Sequence, residues 1–443
     1  MAISNWGKYP VIEGEEKYLR TGEELSSERG WIPRGMGRCY GDSSLGQQMF
    51  SSLKLNKFLQ FDESTGILHC QSGVTYEDIL NTFVPKGWFP PVTPGTKFVS
   101  MGGAMASDVH GKNHHSEGAI SSHILDFHLL TATGELLYCS REENLEVFHA
   151  TMGGMGLTGF ILDLRIRLKP ISSAWIQMES IKARNLEEII NLSESFSDAT
   201  YTMAWIDCLA SGKKMGRSIL MKGEHVHPDS LEGKKKAAPL QLPNKKKLTV
   251  PFDFPSFVLN PLSIKAFNFL YYHKQFKKEV QKVVDYDSFF YPLDSIYHWN
   301  RIYGKKGFVQ YQFVLPKESS LEGLKDILHR ISAKNMGSFL AVLKLFGKQE
   351  SLISFPMEGF TLALDFPITK GLFPFLDELD KVVMDYGGRV YLTKDARLKP
   401  ETLPDMYPQL EKFKDIIQRL DPEGSIRSLQ SERLKLHLQP EVV

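Results

Sequence analysis

Three groups of glycines lie in the first 160 residues: Gly35, Gly37 and Gly41 in RGMGRCYGDS (34–43), Gly95 with Gly102 and Gly103 in PGT and SMGGA (94–104), and GGMGLTG (153–159). Glycine turns bring successive backbone N–H groups against phosphate oxygens, and Ser or Thr hydroxyls add donors, so separated loops of this kind suit a pyrophosphate. The third group satisfies G-x-G-x-x-G through Gly154, Gly156 and Gly159. A helix-like stretch precedes it and a strand-like stretch follows, which reverses the Rossmann order. In the first group Tyr40 takes the place of the third glycine and no Gly-Lys-Ser/Thr follows, so it is neither a Rossmann nor a Walker loop. Next comes DVHGKNHH (108–115), with His110, His114 and His115 around Lys112. Gly111 and Asn113 make it a loop rather than a helix presenting paired ligands, and no Glu or Cys stands close, so no metal is expected. Such a loop suits hydrogen bonds to a ring system or a substrate. Gln310 and Gln312 share one face of GFVQYQFVLP, because strand side chains repeat every two residues; they meet either sugar hydroxyls or solvent. Lys344 interrupts the apolar run FLAVLKLFG, where a lysine needs an anion or a way out to water.

Among the elements that must position these groups, ILHCQSG, FHLLTATGELLYC and FILDLRIRLKP read as strands, and TYEDILNTFVPKG and EENLEVFHATM as short helices. From about 175 to 388 the pattern changes. LEEIINLSESF, LEGLKDILHRISAKN and FPFLDELDKVVMDYG have helical spacing, and GFVQYQFVLP, SFLAVLKLFG and GFTLALDFP are long strands. RVYLTKDARLKP and MYPQLEKFKDIIQRLDP then return to strand plus helix. The fold class is α+β in two domains, the second inserted into the first: 1–174 and 389–443 flank a domain at 175–388.

The chain has 443 residues, 53 basic and 52 acidic, with a formal charge of +1. A balance so near zero argues against a polyanion partner, so no nucleic acid is expected. Cys39, Cys70, Cys139 and Cys208 form neither a C-x-x-C nor a disulfide framework, which reads as reduced thiols and a cytoplasmic location. MAISNWGKYP shows no basic region leading into an apolar one, so no secretory leader is expected. Lys234, Lys235, Lys236 and Lys245, Lys246, Lys247 precede PFDFPSFVLNPLSIKAFNFLYY. Two readings stay open for 234–273: a solvated loop followed by a buried helix, or peripheral contact with the inner face of an anionic membrane.

RGMGRCYGD, PGT…SMGGAMASDVHGKNHH and GGMGLTG resemble the FAD-binding domain of the vanillyl-alcohol oxidase / p-cresol methylhydroxylase superfamily. DVHGKNHH, YPLDSIYHWNRIYGKKGFVQYQFVLP, LKLFG, SFPMEGFTLALDFP and YLTKDAR resemble, within it, the decaprenylphosphoryl-β-D-ribose 2′-oxidase family, in order from about residue 30 to the last helix. The resemblance implies an FAD lined by Pro33, Arg34, Gly35, Met36, Gly37, Arg38, Cys39, Tyr40, Gly41, Asp42, Ser43, Gly95, Ser100, Met101, Gly102, Gly103, Ser107, Asp108, Val109, His110, Ile161 and Tyr391. It implies an antiparallel-sheet substrate domain and a noncovalent flavin, since Arg38 stands where flavinylated relatives carry histidine. On the substrate side it implies Lys112, Trp205, Phe290, Arg301, Gln310, Gln312, Lys344, Phe346, Thr361, Ala363 and Lys394, with Lys394 and His110 catalytic. The sequence departs from the family at Ala363, commonly cysteine, and at Thr361, Phe290 and Met203, all on the substrate wall.

The activity implied is oxidation of a secondary sugar alcohol, the 2′-hydroxyl of a polyprenyl-phospho-ribose, to a keto-sugar. A separate NAD(P)H-dependent reductase would then complete a 2′-epimerisation toward a cell-wall arabinan precursor. The alternatives are an oxidase of a small soluble polyol or sugar lactone and a noncatalytic flavoprotein subunit.

Overall fold

The computed structural model describes residues 2–19, 25, 28–243, 245, 247–255, 257–349 and 351–437; Lys246 of the second lysine cluster lies outside them. Strands β1 (Glu15–Tyr18), β2 (Trp31–Arg34) and β3 (Gln48–Ser51) form a small parallel sheet with β3 in the middle. β4 (Phe58–Asp62) and β5 (Ile67–Gln71) lead to helices α1 (Tyr76–Phe83) and α2 (Met101–Ala106). β6 (Ile124–Leu130) and β7 (Leu136–Ser140) lead to α3 (Leu145–Thr151) and then β8 (Phe160–Arg167). These strands make a second, antiparallel sheet of order β7-β6-β8-β5-β4. Helix α1 starts where Thr75 and Asp78 cap each other, and its Tyr76, Ile79, Leu80 and Phe83 fall on one buried stripe at helical spacing.

Beyond residue 174 follow β9 (Trp175–Ala183), α4 (Leu186–Ser195), β10 (Tyr201–Ile206), β11 (Ser218–His225), α5 (Pro261–His273) and β12 (Glu279–Asp285). Then come β13 (Phe308–Pro316), α6 (Ser320–Ala333), β14 (Ala341–Phe346), β15 (Gly359–Pro367), α7 (Leu372–Asp385) and β16 (Arg389–Val390). Their strands form one antiparallel eight-stranded sheet, β12-β9-β11-β10-β14-β15-β13-β16. Leu324, Ile327, Leu328 and Ile331 of α6 and Phe375, Leu376, Leu379 and Val383 of α7 share its main core cluster. After α8 (Leu410–Leu420) the chain returns to β2, where Trp31 N donates to Ser425 O and Arg427 N to Trp31 O, so both chain ends build the same region.

Two expectations change. RVYLTKDARLKP is not a strand: only Arg389–Val390 pair with β13, and Leu392–Lys394 is a 3-10 turn. Helix α5 is not buried; only Ile264 and Asn268 are enclosed. The lysine clusters are not its neighbours either. Lys235 lies over the Trp175 ring and donates to Val283 O, at one end of β9, whereas Tyr272 of α5 donates to Ala183 O at the other. Nine residues of strand separate the two, roughly 26 Å. Lys245 is held by Asp285, and Lys247 by Tyr297. Among the described residues no helix is long and apolar enough to cross a membrane.

Candidate active site

A cavity of about 680 Å³ lies between the glycine loops and the eight-stranded sheet. Its floor follows from strand register. Gln310 stands opposite Asp365, and Gln312 opposite Ala363, which on its other side faces Val342; Lys344 faces Thr361. Period-two alternation therefore puts Gln310, Gln312, Ala363, Asp365, Val342 and Lys344 on the cavity face of three adjacent strands. Tyr391 N donates to Gln312 O, which fixes the following 3-10 turn over that face and presents Lys394. The Lys394 ammonium sits 4.0 Å above the centre of the Tyr40 ring.

The glycine loops meet each other and the later chain at distances only glycine permits. A Cβ on Gly41 would stand 1.7 Å from Asp395 O, and one on Gly102 2.9 Å from Ser72 Cβ. Gly156, in the loop between α3 and β8, has φ +83 and lines the cavity with Met155 and Gly159. Ser72 Oγ, Ser100 Oγ and His110 Nδ1 are buried at this wall with no hydrogen-bond partner among the described residues. Unpaired buried donors beside an open space are what a ligand rich in acceptor oxygens would satisfy, so the cradle fits a phosphate-bearing cofactor.

The electrostatics are cationic. Burial lowers Lys394 to about 8, with the Asp365 carboxylate pulling the other way and Lys344 pushing further down. Burial also lowers Lys344 to about 8, and lowers Lys112 to about 7 with help from Lys344. Asp365 is raised by burial to about 7, against the Gln310 amide, the Lys394 charge and the Tyr303 hydroxyl. Gln310 Nε2 donates to Asp365 Oδ1 at 2.6 Å and Tyr303 OH to Oδ2 at 3.4 Å. His110 is held neutral, well below the usual imidazole range, by burial first and then by Lys344, His114 and Lys394. Gln312 Nε2 lies 3.0 Å from His110 Nε2 and 3.2 Å from Thr361 Oγ1, so with the amide nitrogen donating the imidazole proton is on Nδ1. The Arg38 guanidinium lies 4.1 Å from the centre of the Trp6 ring and 5.2 Å from that of Phe98.

Most of the residues picked from sequence line this one cavity: 33–40, Ser43, Gly95, Ser100, Gly102, Gly103, Ser107, Val109, His110, Ile161 and Tyr391, with Lys112, Trp205, Phe290, Gln310, Gln312, Lys344, Ala363 and Lys394. Seven stand behind it. Gly41 packs on Asp395, and Asp42 pairs with Arg433. Met101 is in the core of the N-terminal region. Asp108 accepts from Ser121, Gln349 and Ser354. Arg301 donates to Val250 O and Pro251 O. Phe346 packs edge-on against His110, and Thr361 donates to Phe313 O. His114 and His115 are engaged with Gln349 and Ala199 O rather than with each other. Sequence reading missed Asp365, Asp294, Trp6, Ser72 and the apolar end formed by Phe267, Tyr271, Met221 and Phe339. Asp365 had a signal: it continues the 361, 363, 365 alternation in GFTLALDFP.

A family profile described as FAD binding domain matches residues 26–140, and one described as D-arabinono-1,4-lactone oxidase matches residues 365–434. With the phosphate cradle and the polar sheet face beside it, these make the chain an FAD-dependent oxidoreductase. The chain is 37% identical over 92% of its length, and 90% of the relative's, to decaprenylphosphoryl-beta-D-ribose oxidase of Mycolicibacterium smegmatis. It is 31% identical over 82% of its length, and all of the relative's, to an uncharacterized protein in the mprA 5′ region of Streptomyces coelicolor. A shorter stretch, 34% of the chain and 27% of the relative, is 25% identical to a Neurospora crassa protein named as a D-arabinono-1,4-lactone oxidase. The chain belongs to the decaprenylphosphoryl-β-D-ribose oxidase family.

Proposed function

We propose that the protein oxidises the 2′-hydroxyl of a polyprenyl-phospho-ribose to the keto-sugar. The observation that carries this reading is the pair of half-buried lysines on the cavity wall. Lys112 has one acceptor among the described residues, Phe290 O at 3.3 Å, and Lys344 has none. Ammonium groups partly withdrawn from water and left this way are costly unless an anion joins them, and a sugar phosphate brings one. The polar row Gln310, Gln312 and Asp365 lies on the same face, suited to ribose hydroxyls.

In this reading the glycine loops hold FAD noncovalently in a p-cresol methylhydroxylase-type arrangement, built from 1–174 and 389–443 with 175–388 inserted. When bound, FAD supplies the two-electron acceptor that takes a hydride from the carbinol carbon. The chain's own groups handle the rest. Asp365 takes the hydroxyl proton, for which a carboxylate titrating near neutrality is well matched. The Lys394 ammonium stabilises the negative charge developing on that oxygen. His110, neutral and held by Gln312, buttresses the site without adding charge. The keto-sugar then needs reduction on its opposite face, so an NAD(P)H-dependent reductase is the partner that would complete a 2′-epimerisation.

The match of 365–434 to D-arabinono-1,4-lactone oxidase favours a second reading, oxidation of a small sugar lactone. That reading leaves Lys112 and Lys344 without a counter-ion. Anaerobic mixing of the holoenzyme with polyprenyl-phospho-ribose, and separately with aldonolactones and xylitol, decides between them. Bleaching of the flavin by the lipid-linked sugar is expected, and bleaching by the lactone alone would overturn the first reading.

A further inference from the structure

Helix α5 has two faces with different surroundings. Ile264, Phe267, Asn268 and Tyr271 lie on one. Asn268 Nδ2 donates to Asp207 Oδ1 at 2.9 Å, the Tyr271 ring lies 4.6 Å from Trp205, and Phe267 and Tyr271 line the apolar end of the cavity. Leu262, Phe269 and Leu270 lie on the opposite arc, since residues seven and eight apart return to one side of a helix. They are 79%, 53% and 66% exposed; Phe257, just before the helix, is 74% exposed, and Phe276, just after it, 95%. Single exposed apolar side chains are ordinary, but five along one helix and its ends mark a surface that something covers. The charge pattern says what. From Phe254 to Lys278 there is no Asp or Glu, while Lys265, Lys274, Lys277 and Lys278 are all basic and solvent-facing.

We propose that α5 lies in the surface of an anionic phospholipid bilayer. Its outward arc enters the headgroup–acyl boundary, and its inward face forms the wall along which a polyprenyl chain passes into the cavity. Apolar residues along one side of an in-plane helix with lysines flanking it are the ordinary means of such binding. This rests on the polyprenyl-phospho-sugar reading and adds where that substrate comes from. A long prenyl chain taken through water would expose every methylene it carries, whereas a wall continuous from bilayer to cavity keeps it covered. The same helix that faces lipid thus ends the substrate path, and Asn260, bonded to Leu262 N and Ser263 N, fixes its start.

The test is co-sedimentation of the holoenzyme with phosphatidylcholine vesicles, with and without phosphatidylglycerol, for the natural chain and for Leu262→Ser/Phe269→Ser/Leu270→Ser. The natural chain should bind the anionic vesicles about tenfold or more tightly than the neutral ones. The triple variant should bind them about tenfold or more weakly than the natural chain. Its flavin should still be reduced at the natural rate by a short-chain, water-soluble polyprenyl-phospho-ribose. Equal binding of variant and natural chain, or no binding by the natural chain, overturns the proposal. A natural chain that dimerises in solution through these residues and ignores vesicles overturns it in favour of a second copy as the occupant. If the natural chain binds vesicles but the soluble sugar phosphate never reduces its flavin, the bilayer contact is supported and the substrate reading fails.

Discussion

Asp365 and Lys394 should impose a narrow bell on the pH dependence of flavin reduction. The competent state has Asp365 ionised and Lys394 protonated. With the two titrating at about 7 and about 8, that state peaks near pH 7.5 at about 60% of molecules and falls to about 9% at pH 6 and at pH 9. The reduction rate constant at saturating substrate should therefore drop roughly sevenfold on either side. Saturation matters because Lys112 and Lys344 titrate in the same range and alter affinity. Lys394→Met removes the falling limb. Because the Lys394 charge holds Asp365 down, the rising limb should also move above pH 7. Asp365→Asn removes the rising limb and shifts the falling one below pH 8, since that carboxylate holds Lys394 up. At pH 7.5 each variant should lose about 10²- to 10³-fold in rate, the size expected for one group facing developing charge or a moving proton. The assay is anaerobic stopped-flow absorbance of the flavin, run on variants whose FAD content equals that of the natural chain. A Lys394→Met enzyme within threefold of the natural rate, or variants that both keep both limbs, would falsify the assignment.

Lys344→Met should raise the Kd for polyprenyl-phospho-ribose about 10- to 100-fold with little change in limiting rate, as loss of one charged hydrogen bond predicts. In the natural chain the same affinity should decline as pH rises through about 8, where Lys344 loses its proton; flavin-monitored titration measures both. Gly41→Ala should yield flavin-poor protein by absorbance ratio, because its Cβ would collide with the Asp395 carbonyl and push the facing walls of the cradle apart. Arg433→Met should lower stability by about 3–5 kcal/mol in denaturant unfolding. It leaves Asp42, 2.8 Å from the guanidinium, buried without its cation, and Asp395, at the same distance, with only the charge of Arg397.

What could be read in advance follows from how local each feature is. Gln310 and Gln312 were legible as one face because strand period needs only the chain itself, and the reversed order around GGMGLTG correctly kept Gly154, Gly156 and Gly159 from being a Rossmann turn. Asp365 obeys the same period yet went unread, since a lone acid near a strand end is usually solvated; only the pairing of β13 with β15 sets it against Gln310. Arg301 is the opposite case. The resemblance put it on the substrate side, but its Nη1 donates to the carbonyls of Val250 and Pro251, some fifty residues earlier, behind the cavity. Helix α5 shows the deepest reason. Its apolar residues are spread all round, which for a water-soluble core means burial, and Leu262, Phe269 and Leu270 nonetheless face outward. Periodicity reports how apolar a face is and not which medium meets it. Of the two lysine clusters before the helix, the first sits at the far end of β9, where Lys235 lies over Trp175, while Lys265 on the helix and Lys274 at its end carry the charge on which the proposed lipid contact rests.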